Sequence, residues 1–470
     1  MKTSLFFPAR FLKLLPGLLL LASTARAGEF RAGAAKVDIT PPNRTPMAGF
    51  YFFRASTEVF DPIYAKTIVV EQDGEQAAFV VLDLVTTTQP VVAAARRIIE
   101  KECGIPGKQV MISATHTHSA PVLPQASVMD DLTGAKSPEA QVYADALPGL
   151  IAKSVRDAVA KLVPGTASAT VGKAEGIAFN RRVIGRDGKL IWQPKKIDPA
   201  VEHPAGPVDP DLGLLLVEST EPHPAPLAAY LNFAMHPTSM GSGTRISADY
   251  PGEFTKLLSE RKGAKMIAVF ANGCCGNTNN TNYLTDKARL KGEAETHRLG
   301  AALADAAVQS WPNLKRLKTH APRAASVMVT LPRRRFSEEE IAKAKDVVRR
   351  MNTETLSTIE MAEAVCIMET VEKKEIPLQV EVQAISFSDD LAVLSLPGEI
   401  FVELCLAIKA ASPFKHTFIA ELANGSIGYV PNRDAYPQGS YEVVSARGEA
   451  GSGEMLLDAA LKLLKGLAKS

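Results

Sequence analysis

The chain has 470 residues, 46% hydrophobic and 22% charged, which excludes a disordered or low-complexity protein and allows one large domain or two to three smaller ones. Its formal charge is +2, and no basic stripe of the kind that binds nucleic acid is present. Cys103, Cys274, Cys275, Cys366 and Cys405 are too few for a disulfide framework at this length.

The first 27 residues read as a secretory signal. Lys2, Arg10 and Lys13 form a basic start, Leu14 to Ala22 is apolar but for Pro16 and Gly17, and Ala25-Arg26-Ala27 fits a small-x-small cleavage site. The expectation is export to a periplasm or the exterior, with a mature chain of 49 basic and 51 acidic residues once Lys2, Arg10, Lys13 and Arg26 are removed. No later segment is long and apolar enough to span a bilayer, so membrane contact is peripheral at most.

Strand signals at Thr67 to Glu71 and Ala77 to Leu82 precede a helical stretch, Val91 to Glu102, opened by Pro90 and ended by Gly104. The strand Val110 to Ile112 follows, so a βαβ unit with a parallel pair is expected. Ala140 to Leu162 is a long amphipathic helix whose apolar residues (Val142, Leu147, Ile151, Val155, Val159, Leu162) keep helical spacing; Pro148 kinks it or marks its start. Arg181 to Pro210 reads as a long loop. Leu227 to Phe233 and Met266 to Phe270 are strands, and Ser337 to Lys373 is a charged, solvated helical hairpin. Val380 to Phe387 and Leu391 to Leu396 pair, Thr417 to Leu422 is a further strand, and Leu456 to Leu467 is a closing helix. With no repeat or linker after residue 27, residues 28–470 form one large α/β or α+β domain with a mixed sheet.

Reactive residues recur just beyond apolar strands. His116 and His118 follow Val110–Ile112, and residues two apart share a face in extended chain. His236 follows Leu227–Phe233, Glu399 follows Leu391–Leu396, and Tyr429 lies beyond Thr417–Leu422. Such convergence at strand carboxyl ends suits a metal or catalytic site. Each residue also has a plain structural reading: His236 as a turn cap, Glu399 as a helix-start carboxylate, Tyr429 as a core aromatic. Cys103, Cys366 and Cys405 read as buried thiols, and the neighbours Cys274 and Cys275 as buried structural cysteines or a vicinal disulfide.

Thr115-His116-Thr117-His118-Ser119, Asn232 to Thr238 around His236-Pro237, Leu396-Pro397-Gly398-Glu399 and Tyr429 with Tyr441-Glu442 occur in an order that resembles the neutral/alkaline, non-lysosomal ceramidase family. Ala35 to Pro41 and Met47-Ala48-Gly49 are similar to that family's mature N-terminus, and the likeness runs from about residue 32 to 462. The resemblance implies one zinc ion held by His116, His236, Glu399 and Tyr429, with His118 and Tyr441 around the reacting carbonyl and Arg181 positioning substrate. It implies hydrolysis of the amide bond of an N-acyl lipid by zinc-activated water, with manganese or iron compatible with the same donors. Two departures stand out. The family's Gly-Asp-x-Ser-Pro-Asn loop is replaced by Gly276-Asn277-Thr278-Asn279-Asn280, so Asn279 or Thr278 takes the substrate-facing position of its serine, and Asn offers no hydroxyl nucleophile. The family's C-terminal immunoglobulin-like domain is not expected in this chain. A smaller amide or ester substrate, or a metal-dependent binding protein whose activity has lapsed, are the alternatives. Asp38, Asp83 and Asp249 are candidates for a second cation or for structural hydrogen bonding.

Overall fold

A computed structural model describes residues 1, 28–194, 200–220, 224–285, 290–351 and 353–469. The expected leader therefore lies outside the described residues. The main sheet contains β1 (Arg31–Asp38), β2 (Tyr64–Gln72), β3 (Glu75–Leu82), β4 (Val110–Ala114), β5 (Val163–Lys173), β6 (Asp211–Ser219), β7 (Ala225–Phe233) and β8 (Ile267–Asn272). Their order across the sheet is β8-β7-β6-β5-β1-β2-β3-β4. It is a mixed sheet, parallel only between β3 and β4 and between β7 and β8. Each parallel pair is the strand pair of a βαβ unit. The first crosses over through α1 (Gln89–Cys103), where Thr88 caps the start and Gly104, at φ 72°, ends the helix in the left-handed conformation. The second crosses through α4 (Asp249–Lys262). The sheet curls until β8 touches β2, β3 and β4, so the loops after β4 and β7, far apart in strand order, meet.

A second sheet, β9 (Thr319–Leu331), β10 (Leu378–Ser388), β11 (Leu391–Ser395) and β13 (His416–Ala420), runs in the order β9-β10-β11-β13. Between β11 and β13 come the short strand β12 (Glu399–Ile400) and helix α8 (Val402–Ala411). Two asparagines fasten the sheets together. Asn232 donates to Ala271 and Ile419 carbonyls and accepts from the Ile419 N–H. Asn424 accepts from Ile112 N–H through its side chain and donates its own N–H to the Ile112 carbonyl. Buried amides with no spare donors or acceptors tolerate one arrangement only, so the strands preceding the histidines and those flanking Glu399 are held in a single relative position.

Three expectations are corrected. The passage from Arg181 to Pro210 is not a plain loop; it contains a small antiparallel sheet of Arg182–Gly185, Leu190–Trp192 and Val201–Pro204. Helix α3 (Pro138–Val159) starts at Pro138 behind a Ser137 cap, so Pro148 is interior, and Val142 is 69% exposed rather than part of the apolar stripe. Cys405 is no free thiol, and Cys274 does not pair with its neighbour: Cys274 and Cys405 form a disulfide across 131 residues. Helices α6 (Glu338–Arg350) and α7 (Thr358–Glu372) form the expected hairpin, each begun by a Ser/Glu capping box. It packs its apolar face on the short helix α2 (Val128–Thr133) instead of standing in solvent.

The disulfide ties the 272–282 loop to α8, just beyond Glu399. The unreduced, denatured chain should titrate three thiols, Cys103, Cys275 and Cys366, rising to five on reduction. Cys405→Ser should lower urea stability by about 2–5 kcal/mol. Five thiols without reductant would contradict the pairing.

Candidate metal centre and cavity

The chain leaves β4 at Ala114 and turns sharply, with His116 in the left-handed region at φ 73°. For a residue other than glycine this costs about 1–2 kcal/mol, and it aims the ring inward. His116 Nδ1 lies 2.7 Å from the Val85 carbonyl, His118 Nδ1 2.9 Å from the Gly49 carbonyl, and His236 Nδ1 3.0 Å from the Cys275 carbonyl. A carbonyl only accepts, so each Nδ1 carries a proton, and in the neutral ring it is Nε2 that presents the lone pair. Those lone pairs converge. His116 Nε2 is 2.9 Å from His236 Nε2 and 3.3 Å from His118 Nε2. Glu399 Oε2 is 3.3 Å from the first and 3.4 Å from the second of these Nε2 atoms, those of His116 and His236, and it is buried without a hydrogen-bond partner.

Contacts this close between ring nitrogens and a carboxylate oxygen require positive charge among them, either a shared proton or a cation. Tetrahedral zinc bonds of ~2.0–2.1 Å separate ligand atoms by about 3.3 Å; Glu399 Oε2 stands at that spacing from both Nε2 atoms, while the Nε2 atoms of His116 and His236 lie closer, at 2.9 Å. The donor set fits such an ion. Burial would raise the Glu399 carboxyl, but His116 and His236 hold it well below the usual carboxylate range. Burial first, then Arg181 and His116 close by, push His236 down to about 3, and burial with the other two imidazoles lowers His118. Neutral imidazoles and an ionised carboxylate are the forms that ligate. Gly49 is required at its position: its φ is 97°, and a Cβ there would lie 2.6 Å from His118 Nδ1.

Glu399 and Tyr429 are register partners in a parallel pair, β12 with β14 (Tyr429–Val430), which puts the phenol beside the carboxylate. Burial, then the Glu399 charge, pushes the Tyr429 phenol well up. Tyr441 opens a helical turn, Tyr441–Val444; its hydroxyl is 3.3 Å from that of Tyr51, and its ring stacks on Trp192 at 4.3 Å. Arg181 is buried behind both tyrosines, 5.4 Å from the Tyr429 ring and 5.7 Å from the Tyr441 ring. Its Nε donates to Glu442 and its Nη2 to the Gly276 carbonyl. Arg181, expected at the substrate, thus lies against the two tyrosine rings and is absent from the lining of the cavity.

Sequence reasoning missed Glu442. This fully buried carboxylate accepts from Arg181, Arg182 and the Trp192 indole. Its only signal was its place next to Tyr441. Asn279 and Thr278, expected at the substrate, are absent from the lining of the cavity beside the imidazoles. Asn279 donates to Tyr283, and the Thr278 carbonyl accepts the His236 N–H, so both shape the His236 loop. Cys275 is buried, and burial with Glu421 raises its thiol well above the ordinary value, which leaves it a poor nucleophile. Asp83 accepts from Tyr64 N–H and pairs with Lys66 at 3.2 Å, Asp38 accepts from Thr40 N–H, and Asp249 accepts from Ser239 and Met240. Each serves a structural role.

The His116 and His118 imidazoles, with Glu399, Tyr429 and Tyr441, line a cavity of about 170 Å³. Its walls include Phe50 and Tyr51, Val122 and Leu123, Met129 of α2 and Ala362, Val365 and Cys366 of α7. The hairpin expected to be peripheral therefore forms one wall of the site.

Glu442→Ala would strand two guanidinium groups that are only 4% and 1% exposed. It should cost about 3–5 kcal/mol in urea unfolding, with Glu442→Gln less severe. A loss under about 0.5 kcal/mol, the range of a plain surface substitution, would show that the cluster carries no such weight.

A model of the neutral/alkaline non-lysosomal ceramidase N-terminal region matches residues 30–298. No curated protein matches the chain. Among solved structures, the neutral ceramidase from Pseudomonas aeruginosa is 19% identical, with a TM-score of 0.73 over 94% of this chain and 75% of that one. A structure described as ceramidase complexed with C2 is 18% identical, with a TM-score of 0.74 over 94% of this chain and 76% of that one. At these identities the likeness establishes the fold, whereas the family model covers more than half of the sequence: the chain belongs to the neutral/alkaline non-lysosomal ceramidase family.

Proposed function

We propose that the chain is an exported, zinc-dependent amidohydrolase that cleaves the amide bond of an N-acyl lipid of the ceramide type. The observation that carries this reading is the meeting of three Nε2 atoms, turned inward by Nδ1–H bonds to carbonyls, and an unpartnered carboxylate oxygen beside a cavity. Family membership supplies the reaction class. His116, His236, Glu399 and Tyr429 would hold the metal. When bound, zinc supplies a Lewis acid for the scissile carbonyl and lowers the pKa of water toward neutrality.

The chain's own groups account for the rest. His118, its Nδ1–H fixed on Gly49, keeps a free Nε2 lone pair at the cavity; it takes the proton from the attacking water and returns it to the leaving amine. Tyr441 stays a phenol, since burial and then Tyr429 raise it well above its usual value, and donates to the oxyanion as it develops. Arg181, anchored on Glu442, stiffens both tyrosines. No side-chain nucleophile is needed, which accommodates Asn279 in the altered loop. Export is supported by the basic-apolar leader and by a buried disulfide, a bond of oxidising compartments. Among the described residues no helix is long and apolar enough to cross a membrane.

Purified protein should bind about one zinc per chain and hydrolyse a fluorescent N-acyl-sphingosine. His116→Ala and Glu399→Ala should lose metal and activity together. His118→Ala should keep the metal while kcat falls about 10²–10⁴-fold, and Tyr441→Phe should do the same by about 10²–10³-fold. Stoichiometric metal with no turnover of any amide or ester would favour the lapsed binding protein instead, the reading to which the replaced 276–280 loop points.

A further inference from the structure

The three carbonyls that hold the histidine rings are not supported alike. Val85 lies three residues past the end of β3, and Cys275 adjoins the Cys274–Cys405 bond. Gly49, which holds His118, belongs to residues 39–57, a stretch without helix or strand whose Phe52 and Phe53 are 44% and 57% exposed. Backbone hydrogen bonds fasten this stretch up to Ala48, whose N–H donates to the Ala120 carbonyl. Past that point a side chain takes over.

That side chain is Arg54, which is buried. Its Nη2 donates to the carbonyls of Ala48 and His118, the latter at 2.9 Å, and its Nη1 donates to the Gly243 carbonyl in the loop beyond His236. The guanidinium also lies over the Phe50 ring, 4.4 Å from its centroid, and that ring meets the His118 ring edge-on at 5.9 Å. Arg54 therefore grips the residues on both sides of Gly49, together with the backbone of the histidine that Gly49 holds. No carboxylate pairs with it among the described residues, and burial alone pushes it down to about 10. A buried cation without a counter-ion is costly to keep, and a planar fork of donors is what lets one side chain span carbonyls from three segments.

We infer that Arg54 is a positioning residue for His118: it fixes the Gly49 carbonyl, and through it the His118 ring, while standing outside the lining of the cavity. The inference rests on the amidohydrolase reading only for what His118 does; the orientation of the ring is a matter of geometry alone. Without the guanidinium the Gly49 turn loosens and His118 no longer aims its Nε2 at the cavity. His116 and His236, anchored elsewhere, keep their orientations.

The test is NMR of zinc-loaded protein carrying isotope-labelled histidine, alongside N-acyl-sphingosine hydrolysis. Buried Nδ1–H groups bonded to carbonyls exchange slowly, so His116, His118 and His236 should each give a low-field proton signal, that of His118 being identified by its loss in His118→Ala. Arg54→Ala should bind the same zinc, lose or shift the His118 signal alone, and lower kcat about 10²-fold with little change in KM. Methylguanidinium added to this variant should restore part of both signal and rate. Arg54→Lys, which keeps the charge but not the fork, should fall between, and it carries the test if Arg54→Ala does not fold. An unaltered His118 signal in the variants, or loss of all three histidine signals together, would overturn the inference. Loss of the His118 signal alone, with no turnover by any of the proteins, would leave the role of Arg54 standing and overturn the hydrolase reading.

Discussion

Three hydrogen bonds govern the site: those from the Nδ1–H groups of His116, His118 and His236 to the carbonyls of Val85, Gly49 and Cys275. Each fixes the tautomer of a neutral ring, and together they turn His116 and His236 Nε2 toward Glu399 and His118 Nε2 toward His116. Without them any of the rings could place a proton between two nitrogens and settle as an ordinary buried pair. With them Nε2 is left to a metal or a shared proton, and because the carbonyls belong to backbone held by the fold, the rings keep that orientation.

The fold exists, from this standpoint, to bring distant backbone together. The two βαβ units deliver their carboxyl-end loops at separate places in the strand order, and the curl of the sheet closes the gap. Asn232 and Asn424 then lock the second sheet, which carries Glu399, onto the first. The Cys274–Cys405 bond joins the loop behind His236 to the helix after Glu399. Backbone strain gathers here too: His116, Leu422, Asn424 and Ser440 all have positive φ, and each adjoins a strand end or a site residue. A surrounding structure so heavily cross-linked can hold such conformations.

Much of the histidine cluster was legible because strand periodicity and short sequence blocks are local. The pair His116 and His118 does converge, though not as two residues on one face of a strand. The strand ends at Ala114, and a left-handed turn at His116 does the aiming. What escaped the sequence depends on long-range contact. Glu442 gains meaning only when Arg181, Arg182 and Trp192 arrive from some 250 residues away. The charge of residues 337–373 suggested a solvated hairpin because one face of each helix is indeed charged, yet the other face closes the cavity. Likewise Cys274 and Cys405 give no local sign that they meet. The dense Pro and Gly content of 181–210 hid three short strands whose pairing comes from tertiary context.

On the proposed reading, nitrogen and oxygen donors, and no sulfur, surround a single metal ion at the meeting point of His116, His236 and Glu399. X-ray absorption at the zinc edge of the purified protein tests it most directly. The expected spectrum shows about four nitrogen and oxygen atoms at ~2.0–2.2 Å around the metal with imidazole scattering, lost in His116→Ala. A sulfur neighbour at ~2.3 Å, as Cys275 would give, or a signal unchanged in that variant, would contradict it.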